Sequence, residues 1–271
     1  MKVALTIAGS DSGGGAGIQA DLKTFHQLGV FGTSAITAIT AQNTVGVSQW
    51  EAVAPALVAA QIEAVATDLH PASVKSGMLP SRMIIGAVAD SIQRFSLPLY
   101  VLDPVMVATS GDLLIEEDAV SAIKDRLIGL ATVVTPNADE AAVLTGFPVE
   151  TVDDMRRAAR SIFAMGAKAV LIKGGHVQDD ESTVMDVLFD GEFVEFSNSR
   201  INTTSTHGTG CTLSAAIAAE LAKGSMLREA IGSAICFVHA AIDAAPGLGS
   251  GHGPLNHFVA GSAATNSRTS A

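Results

Sequence analysis

The sequence predicts an α/β fold with a mainly parallel central sheet, helices on both faces and a small β-hairpin. Two observations lead to this prediction. Short β-branched and apolar runs alternate with longer segments of helical period, and 48% of the 271 residues are apolar, which is enough for a large buried core. We expect one domain over residues 1–260 and a disordered tail over 261–271, where Ser, Ala and Thr occur without periodicity.

The predicted strands are the short β-branched and apolar runs. They are Val3 to Ala8, Thr33 to Ile39, Ser73 to Ser76, Leu99 to Asp103, Ala131 to Thr135 and Ala169 to Lys173. Two later runs, Thr183 to Phe189 and Phe193 to Phe196, flank Asp190-Gly191, a turn dipeptide typical of a hairpin. We interpret this hairpin as an appended feature and not as a second domain.

Longer segments with apolar residues at helical spacing predict helices between the strands. They are Gly17 to Leu28, Pro55 to Leu69, Ser81 to Phe95, Asp118 to Ile128, Asp153 to Met165, Thr209 to Lys223 and Leu227 to Ala244. A further helix is expected to begin at Asn137. The alternation of strand and helix is typical of a mainly parallel sheet.

Charge and cysteine content exclude several classes of function. The chain carries 16 Lys and Arg against 27 Asp and Glu, a net charge of -11 without a basic block, which argues against nucleic-acid partners and anionic membranes. No apolar stretch approaches the length of a membrane span, and the run at residues 3–8 is too short for a signal peptide. With two cysteines, Cys211 and Cys236, we expect a reduced, cytoplasmic protein, and Cys236 is expected in the core.

Polar residues and glycines follow four of the predicted strands. In an open α/β sheet the ligand lies beyond the carboxyl ends of the strands, so these residues are expected at one edge. The cluster Gly9 to Gly17 fits neither the dinucleotide pattern, because Ile18 stands in place of its third glycine, nor the phosphate-loop pattern. It indicates either a flexible turn or a backbone that approaches a flat ligand closely.

The segment Thr206 to Cys211 runs directly into a predicted helix. Backbone N–H groups at the helix start, reached through Gly208 and Gly210, would make an anion site for a transferring phosphoryl group. Cys211 falls in the first turn, where the helix dipole lowers the pKa of a thiol, so it is a candidate base for a substrate hydroxyl. The alternative is a tight turn with a small packing residue.

Asp103 and Glu140 are candidate ligands for Mg²⁺ because both are hard oxygen donors at the expected ligand edge. Alternatively, Asp103 ends its strand before Pro104 and Glu140 complements a helix dipole. Lys173, at a strand end before two glycines, is a candidate to balance phosphate charge, although a lone lysine there is often solvent-exposed. The histidine spacing indicates no zinc or iron site.

Taken together, these residues resemble the hydroxymethylpyrimidine/phosphomethylpyrimidine kinases, a branch of the ribokinase-like superfamily. The resemblance spans nearly the whole chain. It is carried by seven blocks in the family's order: Ile7 to Asp21, Thr37 to Thr44, Val74 to Leu79, Leu102 to Met106, Thr135 to Asn137, Lys173 to His176 and Thr206 to Thr212. Ser76, where the family commonly has a larger aliphatic residue, and the Ser/Ala-rich tail depart from the pattern.

The resemblance implies ATP- and Mg²⁺-dependent phosphorylation of 4-amino-5-hydroxymethyl-2-methylpyrimidine and of its monophosphate to the diphosphate in thiamine biosynthesis, by a homodimer. The implied pyrimidine pocket consists of Gly9, Asp21, Gln42, Met78 and Val105, with Asp21 and Gln42 meeting the polar groups of the ring. The implied ATP, metal and catalytic residues are Asn137, Lys173 and Thr209 for ATP, Asp103 and Glu140 for Mg²⁺, and Cys211, Gly208, Gly210 and Lys173 for catalysis. Much of the superfamily carries an aspartate where this chain has Cys211.

Three alternatives differ from this reading. A vitamin B6 kinase uses the same glycine-cysteine turn, but the amide of Gln42 favours an aminopyrimidine over a pyridine ring. A non-catalytic pyrimidine-binding protein would have no need of the charged residues that collect with the turn. A sugar kinase is disfavoured because Met78 and Val105 suit a flat heteroaromatic ring better than a polyol.

Overall fold

A twisted sheet of eight strands runs through the residues that the computed structural model describes, 1–106, 118–175 and 182–260. Its strand order is β10-β9-β8-β7-β6-β5-β1-β2. Strands β2, β1, β5, β6, β7 and β8 are parallel, and β9 and β10 are antiparallel to their neighbours at one edge. The sheet strands are β1 (Val3–Ala8), β2 (Phe31–Ile36), β5 (Ser73–Ser76), β6 (Tyr100–Leu102), β7 (Val133–Val134), β8 (Val170–Ile172), β9 (Thr183–Phe189) and β10 (Phe193–Ser199).

Helices cover both faces of this sheet, which confirms the predicted fold class. They are α1 (Gly17–Gln27), α2 (Pro55–Asp68), α3 (Arg82–Arg94), α4 (Ala119–Ala122), α5 (Ala138–Thr145), α6 (Val152–Phe163), α7 (Thr209–Lys223) and α8 (Leu227–Asp243). Strand residues alternate between two apolar clusters. Leu5 and Ile7 join the cluster under α2, α3 and α6, whereas Ala4 joins the one under α1, α7 and α8. The core is therefore divided by the sheet.

The predicted hairpin around Asp190-Gly191 forms and continues the central sheet. β9 pairs antiparallel with β8, with Leu171 opposite Leu188. Buried Val187 and Leu188 then pack into the two apolar clusters. The hairpin thus extends the same core.

A second hairpin was not predicted, and the single strand expected over Thr33 to Ile39 is wrong. That strand is divided at Thr37, whose hydroxyl donates to the carbonyl oxygen of Met78 at 2.7 Å. The chain then leaves the central sheet as β3 (Ala38–Gln42) and pairs with β4 (Val47–Ala52) in an antiparallel ribbon. This ribbon presents Gln42 at the edge of the sheet.

Four further expectations are either wrong or concern residues that the structure does not describe. The helix expected over Asp118 to Ile128 is regular only in α4 and continues as a π-helical turn, Ile123–Leu127, and a 3₁₀ turn, Ile128–Leu130. Cys236 is half-buried in α8 and not enclosed by the core. Two predictions concern residues outside the described ranges: the tail at 261–271, and His176, the last residue of the block that begins at Lys173.

Within the described ranges no helix is long and apolar enough to cross a membrane.

Candidate active site

A cavity of about 800 Å³ opens at the carboxyl ends of the parallel strands, where loops that leave neighbouring strands converge. Two segments that border it are named here: the glycine loop, residues 9–17 after β1, and the anion turn, residues 206–211 before and into α7. The structure brings together in its lining most of the residues predicted from sequence: Gln42, Met78, Asp103, Val105, Asn137, Glu140, Lys173, Gly208, Thr209, Gly210 and Cys211.

Gly9 lies behind the cavity wall. Its carbonyl oxygen accepts the Ile18 N–H at 3.0 Å, which anchors the start of α1. A Cβ added at Gly9 would lie 2.8 Å from Met78 Sδ. Gly9 therefore lets Met78 pack closely and does not itself face the cavity.

Asp21 does not face the cavity, so the expected contact with a ring is corrected by the structure. Its side chain is fully buried, and its oxygens accept from Lys75 Nζ at 2.8 and 3.0 Å and from Thr6 Oγ1 at 2.6 Å. Lys75 was not singled out in the sequence. Although burial acts to lower the pKa of Lys75, the charge of Asp21 raises it, so this lysine is a cation. These two donors and complete burial keep the Asp21 carboxylate away from a ligand in the cavity.

Lys173 lies at the cavity surface between two carboxylates. Its Nζ is 2.9 Å from Asp103 Oδ1 and 3.6 Å from Glu140 Oε2, and 14% of its side chain is exposed. Asp103 also accepts from Ser214 Oγ at 3.2 Å, which ties the cluster to α7. Burial raises the pKa of Glu140 to about 7, and the charge of Lys173 opposes this rise.

Asn137 and Glu140 form the start of α5. Asn137 Oδ1 accepts from the Glu140 N–H, and Glu140 Oε2 accepts from the Asn137 N–H, both at 2.8 Å. This capping box fixes both side chains. Glu140 therefore complements the helix terminus, which was the alternative role predicted for it. The same carboxylate also faces Lys173.

The anion turn places backbone N–H groups against Lys173. Gly208 has φ +82, a left-handed conformation that favours glycine, and it precedes the first turn of the 15-residue helix α7. A Cβ added at Gly210 would lie 3.0 Å from Lys173 Nζ. The helix terminus and the lysine thus share one positively polarised corner of the cavity.

Cys211 occupies the predicted first turn, but its expected acidification is wrong. Burial raises the pKa of the Cys211 thiol to about 11, although Lys75 and a hydrogen bond from the Gly17 N–H act to lower it. The desolvation of the thiolate outweighs these two contributions. Cys211 is therefore a neutral thiol near pH 7.

An apolar wall at the β9–β10 side of the cavity was missed. Its residues come from β9, the segment after β10, α7 and α8: Val184, Ile201, Leu213, Ile235, Val238 and Ile242. The spacing of Ile235, Val238 and Ile242 on α8 is a helical face, which the sequence alone does not distinguish from a core face. Asp186 was also missed; it lines the same side and accepts from the Gly174 N–H at 2.8 Å.

Comparison of the sequence with known proteins gives two findings. Residues 11–256 match the family model of phosphomethylpyrimidine kinase. A hydroxymethylpyrimidine/phosphomethylpyrimidine kinase of Rhizobium meliloti is 55% identical over 260 residues, which cover 94% of this chain and 97% of the relative. The match to the family model includes the glycine loop from Asp11 onward and the whole anion turn.

Solved structures share the fold. An ADP complex of Bacillus subtilis pyridoxal kinase superposes with a TM-score of 0.87 at 42% identity, covering 95% of this chain and 97% of that one. A phosphomethylpyrimidine kinase of Clostridium difficile superposes with a TM-score of 0.78, also at 42% identity, covering 89% of this chain and 100% of that one. Because kinases of two different rings share the fold, the choice of ring has to be argued from the cavity.

Proposed function

The chain belongs to the phosphomethylpyrimidine kinase family, and on that premise we propose that it transfers the γ-phosphoryl group of ATP to 4-amino-5-hydroxymethyl-2-methylpyrimidine and then to its monophosphate, in thiamine biosynthesis. One observation carries the proposal: a single cavity joins Gln42, Met78 and Val105 to the anion turn and Lys173. A ring recognised at the first group would present its hydroxymethyl oxygen to a phosphoryl group held by the second.

The ring end suits an aminopyrimidine. The Gln42 amide lies beside Thr40, with Oε1 3.3 Å from Thr40 Oγ1, and it offers both a donor and an acceptor to the nitrogen groups of the ring. Met78, 7% exposed, offers a polarisable apolar face for the flat ring. In this proposal Asp21 acts from beneath the site through Lys75 and makes no contact with the ring.

The phosphoryl end requires mainly positioning and charge stabilisation. The N–H groups of the anion turn and the ammonium of Lys173 would bind the oxygens of the phosphoryl group in transit. ATP would lie between this corner, Asn137 and Thr209, with its base against the apolar wall formed by Val184, Ile201, Leu213, Ile235, Val238 and Ile242.

Two carboxylates fit the requirement for Mg²⁺. Asp103 and Glu140 both face Lys173 Nζ, so their hard oxygens converge where the phosphates would lie. Magnesium needs few protein ligands and, when bound, supplies positive charge to the phosphate oxygens. Asp103 and Glu140 would hold it directly or through water.

Cys211 would act as a weak base. Only its thiolate form, a small fraction near pH 7 because the pKa is raised to about 11, would accept the proton of the substrate hydroxyl and become the thiol as the new P–O bond forms. Lys75, whose charge favours the thiolate, would assist from beneath. We extend the proposal to a homodimer in the cytoplasm, on the family resemblance and the cysteine content. Sedimentation equilibrium would test the dimer.

Relative turnover of the two ring types tests the proposal. The purified protein is given Mg-ATP with the hydroxymethylpyrimidine, its monophosphate or pyridoxal, and ADP release is followed with mass detection of products. We expect turnover of both pyrimidines. Gln42→Ala should lower kcat/KM for them about 10- to 100-fold, because a buried hydrogen bond contributes about 1–3 kcal/mol. Gln49→Ala, an exposed position of the same ribbon, is the matched control.

The specific reason to include pyridoxal is the TM-score of 0.87 to a pyridoxal kinase. Turnover of pyridoxal alone would contradict the proposal and place the enzyme in vitamin B6 metabolism. Ring binding without ADP release would instead indicate a non-catalytic binding protein.

A further inference from the structure

A buried carboxylate–imidazole pair joins the glycine loop to the anion turn. Asp11 Oδ2 accepts from His207 Nε2 at 2.8 Å, and the two side chains are 1% and 9% exposed. Because an ionised carboxylate only accepts hydrogen bonds, Nε2 is the nitrogen that carries the proton. The pair connects positions 196 residues apart in sequence.

The carboxylate of this pair is fixed by its own loop. Asp11 accepts the N–H groups of Gly13 at 2.8 Å, Gly15 at 3.0 Å and Ala16 at 2.8 Å. Although burial acts to raise it, the hydrogen bonds from His207 and these amides hold the pKa of Asp11 below its usual range. His207 therefore donates a charge-assisted hydrogen bond to an immobile acceptor.

The two segments also meet backbone to backbone. Gly208 is left-handed, and a Cβ there would overlap the carbonyl oxygen of Gly15. A Cβ at Gly15 would lie 2.5 Å from Cδ2 of the His207 ring. Neither side tolerates a side chain, so the position of the anion turn depends directly on the glycine loop.

The same loop is bonded to the ribbon that carries Gln42. Ser12 Oγ donates to the Gln42 carbonyl oxygen and accepts the Gln42 N–H, both at 2.7 Å. Hydrogen bonds thus connect the ring end of the cavity, the glycine loop and the anion turn.

We propose that His207 is a positioning residue for phosphoryl transfer, which fixes the anion turn against the glycine loop through its bond to Asp11. The inference rests on the proposed function and deepens it by assigning a role to a side chain that touches no reacting atom. Phosphoryl transfer depends on placement, and a displacement of about 1 Å can cost about 10²-fold in rate. The effect should therefore appear in kcat and not in ring binding.

Two amide variants of different reach test this role. In His207→Gln the side-chain NH₂ group can reach the position of Nε2, whereas in His207→Asn it ends near the position of Nδ1. We expect kcat to remain within about 3-fold of the parent for Gln and to fall about 10- to 100-fold for Asn. The KM for the alcohol and its dissociation constant, measured by calorimetry, should change less than about 3-fold in both.

His26→Asn, on an exposed face of α1, is the matched control and should leave all three constants unchanged. Equal kcat values for His207→Gln and His207→Asn would overturn the proposal, as would a loss in both variants that follows melting temperature or ring affinity. A purely structural histidine would produce those results.

The kcat values of the two His207 variants are measured with whichever alcohol the parent enzyme phosphorylates. The test of His207 therefore stays valid if the substrate is pyridoxal and not the pyrimidine. Amide hydrogen exchange in the free protein provides a readout that needs no substrate. Peptides that cover residues 9–17 and 206–211 should exchange faster in His207→Asn than in His207→Gln, with the rest of the chain unchanged. If the parent protein phosphorylated neither alcohol, the proposed function would be wrong. The role of His207 would be rejected separately, by equal amide exchange in the two variants.

Discussion

One lysine–carboxylate cluster is fully buried outside the cavity lining, and a second lies in that lining. In the first, Lys75 in β5 pairs with Asp21, and both side chains are 0% exposed. In the second, Lys173 follows β8 and pairs with Asp103 and Glu140, with 14%, 1% and 8% of the side chains exposed. The pairing chemistry is the same, and access to the cavity differs.

This difference distinguishes a structural pair from the cluster that we propose to act on the phosphoryl group. Lys75 donates to both oxygens of Asp21. If Lys75 bound a ligand instead, the buried Asp21 carboxylate would lose its partner. Lys173 borders the cavity, so its ammonium group can replace its contact with one carboxylate by a contact with a phosphate oxygen at a small cost in free energy. Substitution of Lys75 should therefore change mainly the free energy of unfolding, whereas substitution of Lys173 should change mainly the turnover rate.

The largest effect is expected for Lys75→Met. Removal of Lys75 leaves the buried carboxyl of Asp21 without its cation, and burial then raises the pKa of Asp21 further, so that the acid is either charged without a partner or protonated. The loss of one partner of a buried pair typically costs about 3–5 kcal/mol of unfolding free energy. Urea denaturation followed by circular dichroism measures the loss. The double variant Lys75→Met/Asp21→Leu should regain much of it, because an apolar pair needs no charge compensation. Lys168→Met, at an exposed position, is the control and should stay within about 0.5 kcal/mol of the parent. If Lys75→Met were as stable as the parent, the pair of Lys75 and Asp21 would not be excluded from solvent.

Lys173→Met is expected to affect turnover more than stability. Loss of one stabilising donor at the transferring group should lower kcat about 10²- to 10³-fold, by analogy with oxyanion-hole variants. The loss of stability should be smaller than for Lys75→Met, since Glu140 can take up a proton at the edge of the cavity. Steady-state kinetics and urea denaturation of the same preparations check both parts. An inactive and equally destabilised Lys173→Met would remove the distinction between the two clusters.

The cluster at the cavity could be predicted from sequence, whereas the buried one could not. Asp103 and Lys173 directly follow β6 and β8, and the rule that ligands lie at the carboxyl ends of parallel strands places them together. Lys75 stands inside β5 between Val74 and Ser76, all of them buried. In a sheet covered on both faces, alternation of side chains gives no sign of which charged residue faces a ligand.

The same limit explains the other errors. The family resemblance implies a contact between Asp21 and the ring, and only the ion pair of Asp21 with Lys75 in β5 shows where the carboxylate lies. The acidity of Cys211 was argued from the helix dipole, which is local, whereas its burial depends on distant segments. The ribbon β3–β4 departs from the strand pattern at Thr37, where a hydrogen bond to Met78, 41 residues away, redirects the chain.

A smaller effect is expected from a carboxylate that has no hydrogen bond to a lysine among the described residues. Asp186 in β9 is 9% exposed and accepts from the Gly174 N–H. Burial raises the pKa of Asp186 to about 6, and neither that amide nor the charge of Lys173 reverses the rise. Asp186 therefore shows what burial does to an acid in this cavity when no cation is bonded to it.

The sign of its contribution to stability follows from proton binding. Between about pH 4 and pH 6 the folded state holds a proton on Asp186 that the unfolded state has released, so the stability it contributes falls as pH rises through this window. In Asp186→Asn the neutral amide can still accept the Gly174 N–H, and this loss is absent. Relative to the parent, the variant should be of similar stability at pH 4 and more stable by about 2–3 kcal/mol at pH 7, with no further gain above that. Urea denaturation at pH 4, 5, 6 and 7 measures the difference. A difference that stays constant over this range would mean that the Asp186 carboxylate is ionised in the folded protein, held by Lys173 as Asp103 is.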